Sequence, residues 1–151
     1  MPFGPKWPPD FFNEEFWTKQ VEINKQEYRA DKSARFFLFE KSSPDVIGTV
    51  SFGGILRGAA QFSYLGYGLA KDKEKRGYMT EILKEAIKFA FNDLKLHRVM
   101  ANYIPTNEAS GKILKRLGFT VEGYASDYLY LNGKWQDHIL TSLTNHDWKE
   151  S

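Results

Sequence analysis

Residues 68–94 read GLAKDKEKRGYMTEILKEAIKFAFNDL, and this stretch decides the architecture. It divides into a strand end, a charged loop ending at Gly77, and a long helix. Met79, Ile82, Leu83, Ala86, Ile87, Ala90, Phe91 and Leu94 step by three and one along it, which is the stripe of a helix buried on one side. A basic loop that ends in glycine and feeds a helix start also makes an anion site. The first helical N–H groups lack intrahelical partners, and the positive end of the helix dipole points the same way. The alternative is a solvated loop in front of a core helix.

Outward from this stretch, the chain predicts a helix over Asp10–Ala30, with Phe12, Phe16, Trp17, Val21, Ile23 and Tyr28 giving a ragged apolar face. Strands follow at Ala34–Glu40, continuous enough in apolar residues for burial on both faces, at Val46–Ile55 and at Gln61–Leu69. Gly48, Gly53 and Gly54 in the second strand predict a bulge or a close backbone approach. Beyond the central helix come a strand at His97–Tyr103 and a helix over Glu108–Leu117, with Ala109, Ile113, Leu114 and Leu117 inward and Gly118 just past its end. Strand pieces lie at Phe119–Gly123 and Tyr128–Leu131. Asn132-Gly133 marks a tight hairpin turn, and Trp135–Leu143 returns beside them. This order predicts an α/β (α+β) fold, a mixed and mostly antiparallel sheet with helices on both faces. In such sheets ligands sit where neighbouring strands part.

The totals agree with one domain spanning residues 1–151, with a proline-rich leader at 1–10 (Pro2, Pro5, Pro8, Pro9). A chain of 151 residues buries roughly 70% of its unfolded surface and needs no covalent staples. Cysteine is absent, which removes disulfides, thiol nucleophiles and cysteine metal sites. A net charge of +2 gives no footing for nucleic acid. No apolar run approaches a membrane span, and the N-terminus has no signal-peptide pattern. The expectation is a cytoplasmic protein with no direct nucleic-acid or membrane partner and no metal, as monomer or homodimer.

Three features converge on the junction after Gln61–Leu69. They are the loop Lys71–Gly77, Asn107 with Ser110 opening the second helix, and the run Ile113–Phe119. Asn107 by itself reads as a helix N-cap. With these in order, the chain from about Phe36 to Trp148 resembles the GCN5-related N-acetyltransferase superfamily, and within it the Rim-type ribosomal-protein alanine N-acetyltransferases. The matching runs are Arg57–Tyr67 (RG-x(5)-YLGY), Gly77–Leu83 (GYMTEIL), His97–Phe119 (HRVMANYIPTNEASGKILKRLGF), Glu122–Leu129 (EGYASDYL) and Asn132–Thr144 (NGKWQDHILTSLT).

The resemblance implies an acyl-coenzyme A N-acyltransferase fold that lacks the usual N-terminal strand and helix. It implies acetyl-coenzyme A as cosubstrate. Backbone groups of Leu69, Ala70 and Lys71 would pair with the pantetheine arm, and amides around Lys75, Arg76, Gly77, Tyr78 and Met79 would hold the pyrophosphate. Asn107 and Ser110 would line the sulfur side. The superfamily's Arg/Gln-x-x-Gly-x-Gly loop has Asp72, Lys75 and Gly77 at its characteristic positions here. Leu114 stands where many members place a tyrosine acid, so Ser110 is the candidate thiolate acid. Asp127, with Glu122 beside it, is the candidate base, and an N–H of Leu69 or Ala70 is the candidate donor to the thioester oxygen. The expected reaction moves an acetyl group to a primary amine, such as the N-terminal alanine of a ribosomal protein. A small-amine acetyltransferase and a non-catalytic acyl-coenzyme A binding domain are the alternatives.

Overall fold

The computed structural model describes residues 14–39, 45–70 and 77–150. The leader, the N-terminal four residues of the expected first helix, and the loop residues Lys71, Asp72, Lys75 and Arg76 lie outside them. The elements run α1 (Glu14–Arg29), β1 (Ala34–Phe39), β2 (Val46–Leu56), β3 (Phe62–Leu69), α2 (Tyr78–Asn92), β4 (Arg98–Tyr103), α3 (Glu108–Arg116), β5 (Thr120–Leu131) and β6 (Lys134–Thr144). They form one six-stranded sheet in the order β1-β2-β3-β4-β6-β5. Every neighbouring pair is antiparallel except β3 and β4. A parallel pair needs a crossover, and α2 supplies it.

The apolar stripe of α2 does what its spacing predicts. Met79, Leu83, Ile87 and Ala90 are buried, and they join Val50, Phe52, Leu65, Val99 and Leu114 in one core cluster. Phe89 meets Phe36 edge to face at 5.1 Å, which docks the helix on β1. Fully buried side chains such as Leu83 and Phe52 contribute about 1.5–3 kcal/mol each. This fixes α2 rigidly, and with it the helix start at Gly77.

The glycines of β2 take both roles expected of them. The β2–β3 register breaks between Gly53 and Leu56. A Cβ on Gly48 would stand 2.3 Å from the Gly68 carbonyl oxygen, so the two strands approach as only glycine allows. At the other hairpin, Asn132 and Gly133 have φ of 54° and 83°. Two successive positive φ values are those of a type I′ turn.

Four details differ from the sequence expectation. β1 is an edge strand, with Phe36 and Phe39 exposed, because nothing pairs beyond it among the described residues. In α1, Val21, Ile23 and Tyr28 are exposed and Asn24 is buried, since the ragged apolar set does not fall on one helical stripe. Ala109 is exposed in α3, and Ser110 takes the inward place. The two strand pieces after Phe119 are one strand, β5, whose register against β6 shifts between Ala125 and Leu129 around Asp127 at φ 49°. The bulge absorbs residues that look like a loop in sequence.

Candidate active site

The site begins where β3 and β4 stop pairing. Their ladder holds three pairs, Phe62↔Arg98, Ser63↔Val99 and Tyr64↔Met100. Past Tyr64, β3 continues to Leu69 against β2, and past Met100, β4 continues to Tyr103 against β6. The carboxyl ends of the two strands therefore part. Crevices at such ends are where open sheets take ligands.

Antiparallel alternation decides which backbone groups face the gap. Ala70 donates its N–H to the Ile47 carbonyl at 2.6 Å, so Ala70 and Ile47 form a hydrogen-bonded pair. The neighbouring pair, Leu69 and Gly48, is then of the other kind, and Leu69 turns its N–H and C=O away from β2 toward the gap. Tyr67 has the same parity. Of the two N–H donors expected near the thioester oxygen, Ala70's is engaged with β2 and Leu69's is directed at the gap. An exposed strand edge of this kind accepts an added amide-bearing chain.

The α2 start lies downstream of this edge. Gly77 is its N-cap, in the left-handed region at φ 75°, and it makes no side-chain cap bond. Tyr78 and Met79 open the helix, with Met79 rooted in the core. Such a helix end carries the amides and partial charge that suit a phosphate. Lys71, Lys75 and Arg76 lie outside the described residues.

The first turn of α3 closes the other side. Asn107 is the N-cap, and its side-chain oxygen accepts the Ser110 N–H at 3.2 Å. Ser110 is buried, and its hydroxyl is hydrogen-bonded to the Tyr67 hydroxyl across the gap from β3. Next to it, Gly111 lies under the ring of Tyr103. A Cβ there would come within 3.0 Å of that ring and 2.9 Å of its hydroxyl. The turn is thus held from β3 through Ser110 and from the end of β4 through Gly111. Burial pushes the Tyr67 phenol above its ordinary range; the Ser110 bond opposes this and Tyr103 adds to it. Tyr67 consequently keeps its proton at neutral pH.

Asp127 is placed elsewhere. It sits in the β5 bulge on the sheet's outer edge, with β6 between β5 and β4, or roughly 10 Å to the side of β4 at normal strand spacing. Its N–H donates to Asp137 Oδ1 at 2.9 Å, and the Tyr124 hydroxyl donates to the other oxygen. These two bonds hold the Asp137 carboxyl below its usual range, the Tyr124 bond most. Glu122 is ion-paired with Arg98. The structure thus joins Asn107 and Ser110 directly and sets Leu69 at the gap, but it leaves Asp127 apart from them. Tyr67 is the group that sequence reasoning missed. Its alternation with Leu65 and Leu69 on the covered face of β3 was the available signal.

A second cleft, of about 1000 Å³, lies at the opposite end of the sheet. Arg57, Gln61, Lys95, His97 and Trp148 line it; Arg57 and Gln61 lie just before β3, Lys95 and His97 just before β4, and Trp148 after β6. It shares nothing with the parted strand ends.

Comparison with known proteins gives this geometry its setting. Residues 1–120 match the family model of the acetyltransferase (GNAT) domain. The chain is 39% identical over 132 residues to the [ribosomal protein uS5]-alanine N-acetyltransferase of Escherichia coli, covering 87% of this chain and 68% of that protein. The structure of ribosomal-protein-S5-alanine acetyltransferase from Vibrio fischeri superposes with a TM-score of 0.91 at 39% identity, over 99% of this chain and 81% of that one. Mycobacterium smegmatis RimJ, solved in complex with CoA-disulfide, gives 0.85 at 25% identity, over 99% of this chain and 72% of that one. On the family model, the shared sequence and the shared fold together, the chain belongs to the GNAT family of acetyltransferases.

Proposed function

We propose that this protein transfers the acetyl group of acetyl-coenzyme A to the N-terminal amine of a protein, an alanine-ended ribosomal protein being the acceptor. The 39% identity to the Escherichia coli uS5-alanine enzyme carries this choice of acceptor. The residues at the gap suit the cosubstrate. Leu69 and Tyr67 offer a strand edge that a pantetheine arm, with its two amides, can extend. The helix start at Gly77 to Met79, together with the basic residues Lys71, Lys75 and Arg76, suits a diphosphate.

When bound, acetyl-coenzyme A supplies the activated acyl group and a thiol leaving group. The chain supplies the surroundings of the reaction. The Leu69 N–H stabilises the charge that develops on the acyl oxygen, an effect worth a factor of 100 or more in comparable sites. Ser110 hydrogen-bonds the departing sulfur. The amine, with an ordinary pKa near 8, sheds one proton before it attacks, which we assign Asp127 to take through water, and a second to solvent once the carbon–nitrogen bond has formed.

Isothermal titration with acetyl-coenzyme A, followed by a thiol-release assay with an alanine-ended peptide, tests the proposal. Saturable binding and thiol release that requires a free peptide N-terminus are expected. Binding without peptide-dependent release sinks the enzymatic reading, and release driven equally well by spermidine or an N-acetylated peptide sinks the choice of acceptor. Asp127→Asn should lower kcat/KM for the peptide at least tenfold; an unchanged value removes Asp127 from proton transfer.

A further inference from the structure

The acid at this site poses a chemical problem that the structure answers. A departing thiolate resembles a cysteine thiolate, whose conjugate acid has a pKa of about 8.5. An aliphatic hydroxyl is far too weak an acid to be the final source of its proton. Ser110 alone therefore cannot complete the reaction. Yet Ser110 is buried, and its oxygen is hydrogen-bonded to one phenol, that of Tyr67, which reaches it from β3 across 43 residues of sequence. Tyrosine is a far stronger acid than serine.

We propose that Tyr67 is the positioning residue behind Ser110: its hydroxyl donates to the Ser110 oxygen, aims the serine proton at the sulfur, and replaces that proton as it leaves. This rests on the placement of the sulfur beside Ser110 given above. The step balances. The carbon–sulfur bond breaks with its electron pair going to sulfur. The Ser110 proton moves to sulfur and the Tyr67 proton moves to the serine oxygen. The negative charge ends on the phenolate, which regains a proton from solvent before the next turnover. Ser110 is a neutral hydroxyl before and after.

The surroundings support this division of labour. The N–H of Ser110 is fixed by Asn107, so the residue's backbone is anchored and its hydroxyl is left as the adjustable group. Tyr103, packed on Gly111, closes the space beside Ser110. The Tyr67 phenol holds its proton at working pH, and its hydrogen bond to Ser110 offsets part of the burial that would disfavour the phenolate. The Tyr67 ring lies on the strand whose next outward-turned residue is Leu69, so one strand presents both the acyl-oxygen donor and the proton source.

The test compares Tyr67→Phe, Ser110→Ala and the double variant. Phenylalanine keeps the ring and its packing, and thermal unfolding checks that it does. Each single variant is expected to lower kcat on the order of 100-fold with KM for acetyl-coenzyme A changed less than threefold. The double variant should fall no further than the worse single, because the two groups act as one. Losses that multiply, or a Tyr67→Phe variant within twofold of wild-type kcat, overturn the inference. A second readout needs no acceptor: the ionisation of the bound coenzyme A thiol, followed by thiolate absorbance against pH. A hydroxyl pair donating to sulfur favours the thiolate, so Tyr67→Phe should raise the bound thiol's pKa by about one unit. No rise overturns the inference. If wild type binds coenzyme A but acetylates no peptide, the acceptor assignment falls and this titration still decides the role of Tyr67. Absence of coenzyme A binding overturns both.

Discussion

Gly48→Ala should destabilise the fold by about 2–3 kcal/mol, and the structure allows the figure to be worked. The new methyl would sit 2.3 Å from the Gly68 carbonyl oxygen, 2.8 Å from a Leu69 methyl and 3.2 Å from a Leu38 methyl. The two leucines can rotate away, but the carbonyl belongs to the backbone of β3. Close carbon–oxygen contacts run at about 3.3 Å, so β2 and β3 must separate by roughly 1 Å. The adjacent Ala70–Ile47 hydrogen bond, now 2.6 Å, would then stretch out of range. Overpacking costs about 1–3 kcal/mol and the lost bond about 1, against about 0.5–1 regained by removing a glycine from a strand. For a chain of this size the balance corresponds to a melting temperature lower by about 5–10 °C. Circular dichroism melts and urea midpoints at unchanged slope are the assay. Gly53→Ala is the control, since nothing lies within 4 Å of its added Cβ. The displacement also moves the Leu69 N–H, so affinity for acetyl-coenzyme A should weaken together with stability. A Gly48→Ala variant that melts with wild type, or above it, refutes the close-approach argument.

Three further outcomes are expected. Asn107→Ala removes the cap on Ser110 and should cost about 1 kcal/mol in urea unfolding, with kcat reduced on the order of tenfold; Asn107→Asp, which caps equally well, should restore both, and failure to restore them denies the capping role. Arg57 holds Asp31 by two hydrogen bonds, of 2.6 and 2.8 Å, and donates to the Leu94 carbonyl at 2.8 Å, so Arg57→Ala should cost about 1–2 kcal/mol. The hydrogen bond from Arg57 depresses the Asp31 carboxyl, so its share of stability is full above the unfolded value near 3.9 and is lost as pH falls through the folded value. Half exposure of the pair keeps that share below about 1 kcal/mol. Urea midpoints from pH 7 down to pH 2.5 should show a smaller acid loss in Asp31→Asn than in wild type; parallel curves would refute the assignment.

Local chemistry was legible in the sequence and long-range pairing was not. The α2 stripe, the Asn132-Gly133 turn and the Asn107 cap each act through neighbours a few residues away, so periodicity and turn chemistry expose them; the glycines of β2 show by residue type alone, since what Gly48 meets is Gly68 on the next strand. Tyr67 acts on a serine 43 residues downstream, and a tyrosine in a strand looks the same whether it packs or donates. Arg57 read as a connection because its partners, Asp31 and Leu94, are 26 and 37 residues away. β1 looked doubly buried because FFLF does not say whether a further strand lies beside it. Asp127 looked like part of a connection between two strand pieces, whereas its positive φ and its N–H bond to Asp137, ten residues on, place it in the bulge of a single strand.

The three-pair ladder between β3 and β4 has a mechanical consequence. The sheet is two leaves, β1-β2-β3 and β4-β6-β5, stitched along a seam far shorter than any strand within either leaf. Such a seam concentrates bending, and its free edges are where amide exchange with solvent should be fastest. A ligand laid into the opening touches both leaves at once and lengthens the seam with bonds the chain does not supply. Occupancy at a hundred times Kd would then add about 2.7 kcal/mol to the stability of the whole sheet. Loading the site stiffens the seam between the two leaves.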